Sequence, residues 1–149
     1  MKRQRVWRVV DANANRAHEG LRVCEDLVRF CLGSAEPFRA LRALRHALAA
    51  QLRKLPVRPL DLAQARDSRR DPGREASGAA VKSVEHLLLI NLQRTKEALR
   101  VLEESCRLLA PAQAPGFQRL RFRTYDVERT LLIGLAALRD RRSRRRARA

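Results

Sequence analysis

A chain of 149 residues is long enough for one domain with a real core. It is 45% hydrophobic but only 4% aromatic, which favours packed helices over a β-sandwich, and no apolar run reaches the length of a membrane span. The net charge of +17 requires that a polyanion partner be considered, although seven arginines against one aspartate in the last eleven residues supply +6 of it and no recognised nucleic-acid motif accompanies the charge.

Residues 1–10 are basic and then mixed apolar, and are expected to approach the first helix in extended form, with Asp11 or Asn13 as its N-cap. The first helix is predicted to run to about Leu32 and to stop at Gly33. At 100° per residue, Ala17, Gly20, Leu21, Val23, Cys24, Leu27, Val28, Phe30, Cys31 and Leu32 fill one wide arc. Asn15, His18, Glu19, Arg22, Glu25, Asp26 and Arg29 fill the other. Arg16 falls inside the apolar arc, where a guanidinium requires a paired anion or a wet pocket.

Ser34–Pro37 form a turn, and Phe38, Leu41, Leu44, Leu48, Leu52 and Leu55 follow at helical spacing until Pro56. The first two helices therefore make an antiparallel hairpin. Residues 56–77 lack periodicity and read as a long loop with a helical turn near Leu60–Ala65. Within it, Arg66-Asp67-Ser68-Arg69-Arg70-Asp71-Pro72-Gly73 sets carboxylates among guanidiniums beside a turn signal.

Ser77 or Ser83 is the expected cap of a long helix over about 78–110, with a kink expected near Asn91. This helix repeats the first. Asn15-Arg16-Ala17-His18-Glu19-Gly20-Leu21-Arg22-Val23-Cys24-Glu25-Asp26 returns 78 residues later as Gln93-Arg94-Thr95-Lys96-Glu97-Ala98-Leu99-Arg100-Val101-Leu102-Glu103-Glu104, with Asn13 matching Asn91 and Arg29 matching Arg107. We read an internal duplication. Ala98, Leu99, Val101, Leu102, Cys106, Leu108 and Leu109 are its inward face, and Arg94, like Arg16, interrupts that face.

Pro111 and Pro115 break the chain before a last helix bearing Phe117, Leu120, Thr124, Val127, Leu131, Leu135 and Leu138. Phe117, Leu120 and Arg121 echo Phe38, Leu41 and Arg42, which extends the duplication to both helices of each hairpin. The prediction is an all-α bundle of two duplicated antiparallel hairpins joined by a long loop. One domain covers 1–138, with halves at about 11–55 and 78–138 around the loop 56–77, and an Arg-rich tail over 139–149 is expected to be disordered. Cys24, Cys31 and Cys106 lie on the apolar arcs without metal-ligand spacing, and read as buried free thiols. With no signal peptide or membrane segment, a cytoplasmic protein is expected.

No phosphate-binding Gly-rich loop, His-Glu-x-x-His motif or nucleophile elbow is present. What the duplication supplies is Arg16, Arg22, Arg94 and Arg100, which paired helices can aim at one cavity, with Glu19, Glu97, Asp26 and Glu104 to balance them or to hold magnesium. The same residues can instead form an interlocking ion-pair network between hairpins.

Asp11-Ala12-Asn13-Ala14-Asn15-Arg16-Ala17-His18-Glu19-Gly20-Leu21-Arg22-Val23, with Glu25-Asp26 and Arg29-Phe30, resembles the opening of the small helical bacterial hydroxymethylpyrimidine phosphate kinases. That domain occurs alone or fused ahead of thiamine phosphate synthase. The resemblance continues through Leu44-Arg45-His46, the loop Arg66-Asp67 with Asp71-Pro72-Gly73, the repeat from Asn91 to Glu104, and Arg121 with Tyr125 and Glu128, covering roughly residues 9–130. It implies ATP- and magnesium-dependent phosphorylation of hydroxymethylpyrimidine monophosphate to the diphosphate, in thiamine synthesis. It implies candidate site positions at Asn13, Asn15, Arg16, Glu19, Arg22, Arg45, His46, Arg66, Asp67, Asp71, Asn91, Arg94, Glu97 and Arg100. Asp67, Asp71 and Glu19 are the expected catalytic carboxylates, and Asp67 and Asp71 the expected magnesium ligands; the others are expected to bind substrate and phosphate. Pro72 replaces the small aliphatic residue expected there, and the Arg tail is outside the pattern. Two other functions compete with the kinase: a non-catalytic partner domain of thiamine phosphate synthase, and a basic nucleic-acid-binding bundle.

Overall fold

A computed structural model describes residues 2–147, which fold as an all-α bundle with no strand among them. Four long helices are α1 (Lys2–Asp26), α2 (Ala35–Leu52), α4 (Val84–Leu109) and α5 (Ala114–Arg146); the short α3 is Pro59–Gln64. Helix α1 packs on α4 and α2, and α5 packs on α4 and α2, so the four close a ring around one core. Leu21, Leu41, Leu44, Leu48, Leu88, Leu92, Leu99, Leu102 and Phe117 are buried at its centre. None of the described helices is long and apolar enough to cross a membrane.

Helix α1 begins at Lys2, so the expected extended approach over residues 1–10 is corrected within the described residues, and Asp11 stands inside the helix and not at its cap. Burial of Val10 and half-burial of Trp7 against the core hold this first part helical despite its β-branched residues. The helix ends in a π-type turn over Leu27–Cys31, closed by Leu32 N–H donating to the Leu27 carbonyl at 3.2 Å. Gly33 then takes φ +61°, a left-handed conformation that L side chains rarely adopt.

The loop after α2 contains α3 and a turn at Ser68–Arg70, near the predicted helical turn. Ser83 caps α4, accepting the His86 N–H at 3.0 Å, so the helix starts at Val84 and not at 78; it runs unbroken through Asn91. Helix α5 continues to Arg146, whereas fraying was expected from Arg139. Arg139 pairs with Glu85 of α4, which ties the start of the Arg run to the bundle. Positions 148–149 of the predicted tail lie outside the described residues.

The inward arcs are right in their middles and wrong at their ends. Phe30, Cys31 and Leu108 are exposed, whereas Val28 and Cys106 in the same last turns are buried. Cys24 and Cys106 are buried as expected. Glu25, assigned to the outer arc, is only 1% exposed, because Arg45 of α2 reaches it.

Candidate functional site

Where α1 crosses α4, the backbones approach closely. A Cβ on Gly20 would lie 2.5 Å from Thr95 Oγ1 and 2.9 Å from the Asn91 carbonyl oxygen, so only glycine fits this crossing as it stands. Cys24 Sγ lies 3.7 Å from the Leu88 carbonyl oxygen, further along the same seam, which fixes the two helices as antiparallel.

Beside this seam is an open cavity of about 430 Å³ lined by Asn13, Arg16, Glu19, Gly20, Asn91, Arg94, Glu97, Ala98 and Val101. Four of these residues lie on α1, and each has its counterpart 78 residues later on the same cavity: Asn13 with Asn91, Arg16 with Arg94, Glu19 with Glu97, Gly20 with Ala98. The antiparallel crossing brings the repeated positions together. Asn13 and Asn91 are both buried, and both donate Nδ2 to the carbonyl four residues back, Val9 and Leu87, at 2.9 Å. That anchors each amide and leaves its oxygen as an acceptor.

Arg16 and Arg94 are exposed, not buried as the helical wheel implied. They interrupt the apolar arc because the cavity interrupts the packing, which leaves their guanidiniums in water and removes the cost of burying a charge. Neither has a carboxylate within ion-pair distance among the described residues. A Cβ on Gly78 would lie 3.7 Å from Arg94 Nη2, so the extended segment before α4 passes beside this guanidinium.

The other predicted arginines are engaged elsewhere. Arg22 faces Glu25 and Asp26 of its own helix at 3.6 Å, and Arg100 faces Glu103 and Glu104 at 2.9 Å. Arg45 hydrogen-bonds the buried Glu25, including Nη2 to Oε2 at 3.2 Å, and this bond raises its pKa above the ordinary value. Arg66 pairs with Asp11. His46 is exposed, with Arg42 Nε 3.5 Å from its Nε2, and Asn15 donates to the Asp11 carbonyl at 3.0 Å. None of these six lines the cavity.

Asp67 and Asp71 have local roles. Asp67 Oδ1 accepts the Arg70 N–H at 3.3 Å, and Asp71 Oδ1 accepts the Gly73 N–H at 2.9 Å. Among the described residues no three His, Cys, Asp or Glu side chains converge. Glu19 and Glu97 are the carboxylates that reach the cavity.

Ion pairs not legible in single helices hold the site's frame. Lys96 Nζ sits 2.6 Å from Glu128 Oε2 and 4.9 Å from the Tyr125 ring centre. Glu103 accepts from Arg121 at 3.0 Å. Thus Glu25 binds α1 to α2, and its counterpart Glu103 binds α4 to α5. The expected ion-pair network between the hairpins is corrected: among the described residues these pairs lie within one helix or between the two helices of one hairpin, and of the four repeated arginines only Arg16 and Arg94 line the cavity.

The ThiD2 family matches residues 8–130. The chain is 43% identical over 130 residues to a thiamine-phosphate synthase of Synechocystis sp., 36% over 132 residues to one of Nostoc sp., and 33% over 136 residues to one of Rhodopirellula baltica. These alignments cover 85%, 87% and 89% of the chain but only 36% of each relative, so the chain spans about a third of their length. No solved structure matches the chain.

Proposed function

The chain belongs to the ThiD2 family, and on that premise we propose that it is an ATP-dependent kinase that converts hydroxymethylpyrimidine monophosphate to the diphosphate for thiamine synthesis. The observation that carries this reading is the pair Arg16 and Arg94. Two guanidiniums with no carboxylate partner among the described residues line one cavity, beside two anchored asparagines and two glutamates. Phosphoryl transfer needs little from a protein beyond positioning and charge stabilisation. Arginine forks match phosphate oxygens, and the cavity is large enough for a small organic phosphate. The family tie supports a place in thiamine synthesis.

The donor set also fits magnesium. That ion is commonly held by one or two carboxylates together with substrate phosphates, and Glu19 and Glu97 are available in this position. When bound, it would neutralise phosphate charge. Arg16 and Arg94 hold and orient phosphate groups, while the Asn13 and Asn91 amide oxygens accept hydrogen bonds from the substrate. Asp67 and Asp71 contribute through the shape of their loop. The recurrence of partner positions across the cavity supports reading α1–α2 and α4–α5 as two copies of one hairpin.

The test is direct: incubate the purified chain with ATP, magnesium and hydroxymethylpyrimidine monophosphate, and follow diphosphate by chromatography. Substrate-dependent product is expected. Arg16→Ala and Arg94→Ala should each lower kcat by about 10²-fold or more, the scale seen when one preorganised charge-stabilising group is removed. No product from folded protein overturns the kinase reading.

The relatives' names favour a second reading. The chain matches about a third of proteins named thiamine-phosphate synthase, so it can serve as a partner domain to a synthase. A stable complex with the synthase, and no turnover by the isolated chain, would select that reading.

A further inference from the structure

We propose that the α1–α4 cavity is a diphosphate site with two quasi-equivalent halves, holding one phosphoryl group on Arg16 and the other on Arg94, with the bridging oxygen between them. The proposal rests on the kinase reading in one respect, that the reaction joins two phosphoryl groups.

The argument is positional. Each half contributes one asparagine, one arginine and one glutamate at identical spacing, and the antiparallel crossing turns one half onto the other about a local two-fold axis. A lone phosphate needs only one of these halves. A P–O–P group has two similar ends related through its bridging oxygen, and so matches the cavity's own symmetry.

The pairing pattern supports the same assignment. Each copy of the repeat carries two arginines, six residues apart. In both copies the second, Arg22 or Arg100, is satisfied by carboxylates of its own helix. In both, the first, Arg16 or Arg94, has no such partner among the described residues and faces the cavity. A guanidinium fork binds a phosphoryl group through two parallel hydrogen bonds, so two forks specify two phosphoryl groups. Glu19 and Glu97 alone would repel an anion, but a divalent cation carried by the diphosphate offsets them.

The halves are not identical. Gly20 in one half corresponds to Ala98 in the other, and Gly20 sits against Thr95 and the Asn91 carbonyl. The ends of the bound ligand therefore meet different walls, as a diphosphate with one organic substituent requires.

The test is calorimetric titration of the whole chain with inorganic pyrophosphate and, separately, orthophosphate, each with magnesium. One pyrophosphate per chain is expected, bound on the order of a hundredfold more tightly than orthophosphate, because charge-assisted bonds form at both ends. Arg16→Ala and Arg94→Ala should each weaken pyrophosphate by a similar factor, the double variant should abolish it, and Arg16→Lys and Arg94→Lys should recover part. Arg107→Ala, an exposed change away from the cavity, should leave binding as in the parent. Equal affinity for the two anions overturns the proposal, as does loss confined to one of the two arginines. Turnover of the pyrimidine phosphate without preference for pyrophosphate overturns this site and leaves the kinase reading intact. Pyrophosphate bound as described, without turnover, supports the site and overturns the kinase.

Discussion

Arg66 grips Asp11 through both carboxylate oxygens, Nε to Oδ2 at 2.5 Å and Nη2 to Oδ1 at 2.9 Å, across 55 positions of sequence. Asp11 lies within α1 and is nearly buried, while Arg66 belongs to the loop between α3 and α4. Arg8 adds a second tether, donating Nη2 to the Asp67 carbonyl at 2.8 Å. The loop leading towards the cavity is thereby fastened to α1.

Arg66→Ala should release this loop. Local opening sets the rate at which a folded chain is nicked, so subtilisin cleavage between residues 67 and 83 should accelerate on the order of tenfold while circular dichroism stays helical. An unchanged cleavage rate would show that the loop is held by other contacts.

Arg45→Met should be costly for a different reason. It leaves the Glu25 carboxylate, 1% exposed, without its bidentate partner. Arg22 remains at 3.6 Å and softens the loss. Denaturant unfolding should show a loss of about 3 kcal/mol, the lower end for breaking a buried pair, and Glu25→Leu with Arg45→Met should restore most of it. If the double variant is as unstable as the single one, packing and not charge governs this contact.

His18 predicts how stability depends on pH. Burial, followed by the nearby Arg45 charge, lowers its pKa below the ordinary 6.5. The unfolded chain therefore binds more protons than the folded one between the lowered value and 6.5, so stability rises with pH through that window. The contribution is full above 6.5 and is lost as pH falls towards the folded value. His18→Gln should flatten this part of a stability-against-pH curve measured by urea denaturation. A slope that survives the substitution would assign it to other groups.

The three cysteines should separate cleanly. Burial pushes the Cys24 thiol up to about 12, with Glu128 and Glu25 adding to the effect, and burial pushes Cys106 up to about 11. The thiolate is the reacting form, so both should be inert at pH 8 in the folded chain. Cys31 is exposed. A disulfide reagent should therefore titrate one thiol in the native protein and three after denaturation; fast reaction at Cys24 or Cys106 would contradict this burial.

Much of this architecture was legible in single-helix patterns. Leucine spacing located α2 and the middle of α4, Gly33 marked the stop after α1, and the turn signal in the Arg66–Gly73 run fell where a short turn forms at Ser68–Arg70. The repeat identified the cavity's main residues, since Asn13, Arg16, Glu19 and their counterparts meet there. A helical wheel cannot represent what the next helix brings. Glu25, Lys96 and Glu103 look like surface residues until Arg45, Glu128 and Arg121 arrive from α2 and α5. Asp11 resembled a cap because its partner is far away in sequence. Arg16 and Arg94 looked buried because a wheel assumes that packing is continuous, and here it opens into a cavity.

Helix α5 also gives the molecule a polarity of charge. Its 33 residues extend about 50 Å and the 26 of α4 about 39 Å, at 1.5 Å per residue. Arg139 stands level with Glu85, near the start of α4, so the last turns of α5 overhang the bundle. Residues 139–146 carry six arginines against one aspartate. The cationic overhang makes the protein a macroscopic electric dipole along its long axis. In an electric field, or near a charged surface at low salt, the chain should orient with this end towards the negative side, and the torque should fade as the Debye length shrinks to about 8 Å at physiological ionic strength.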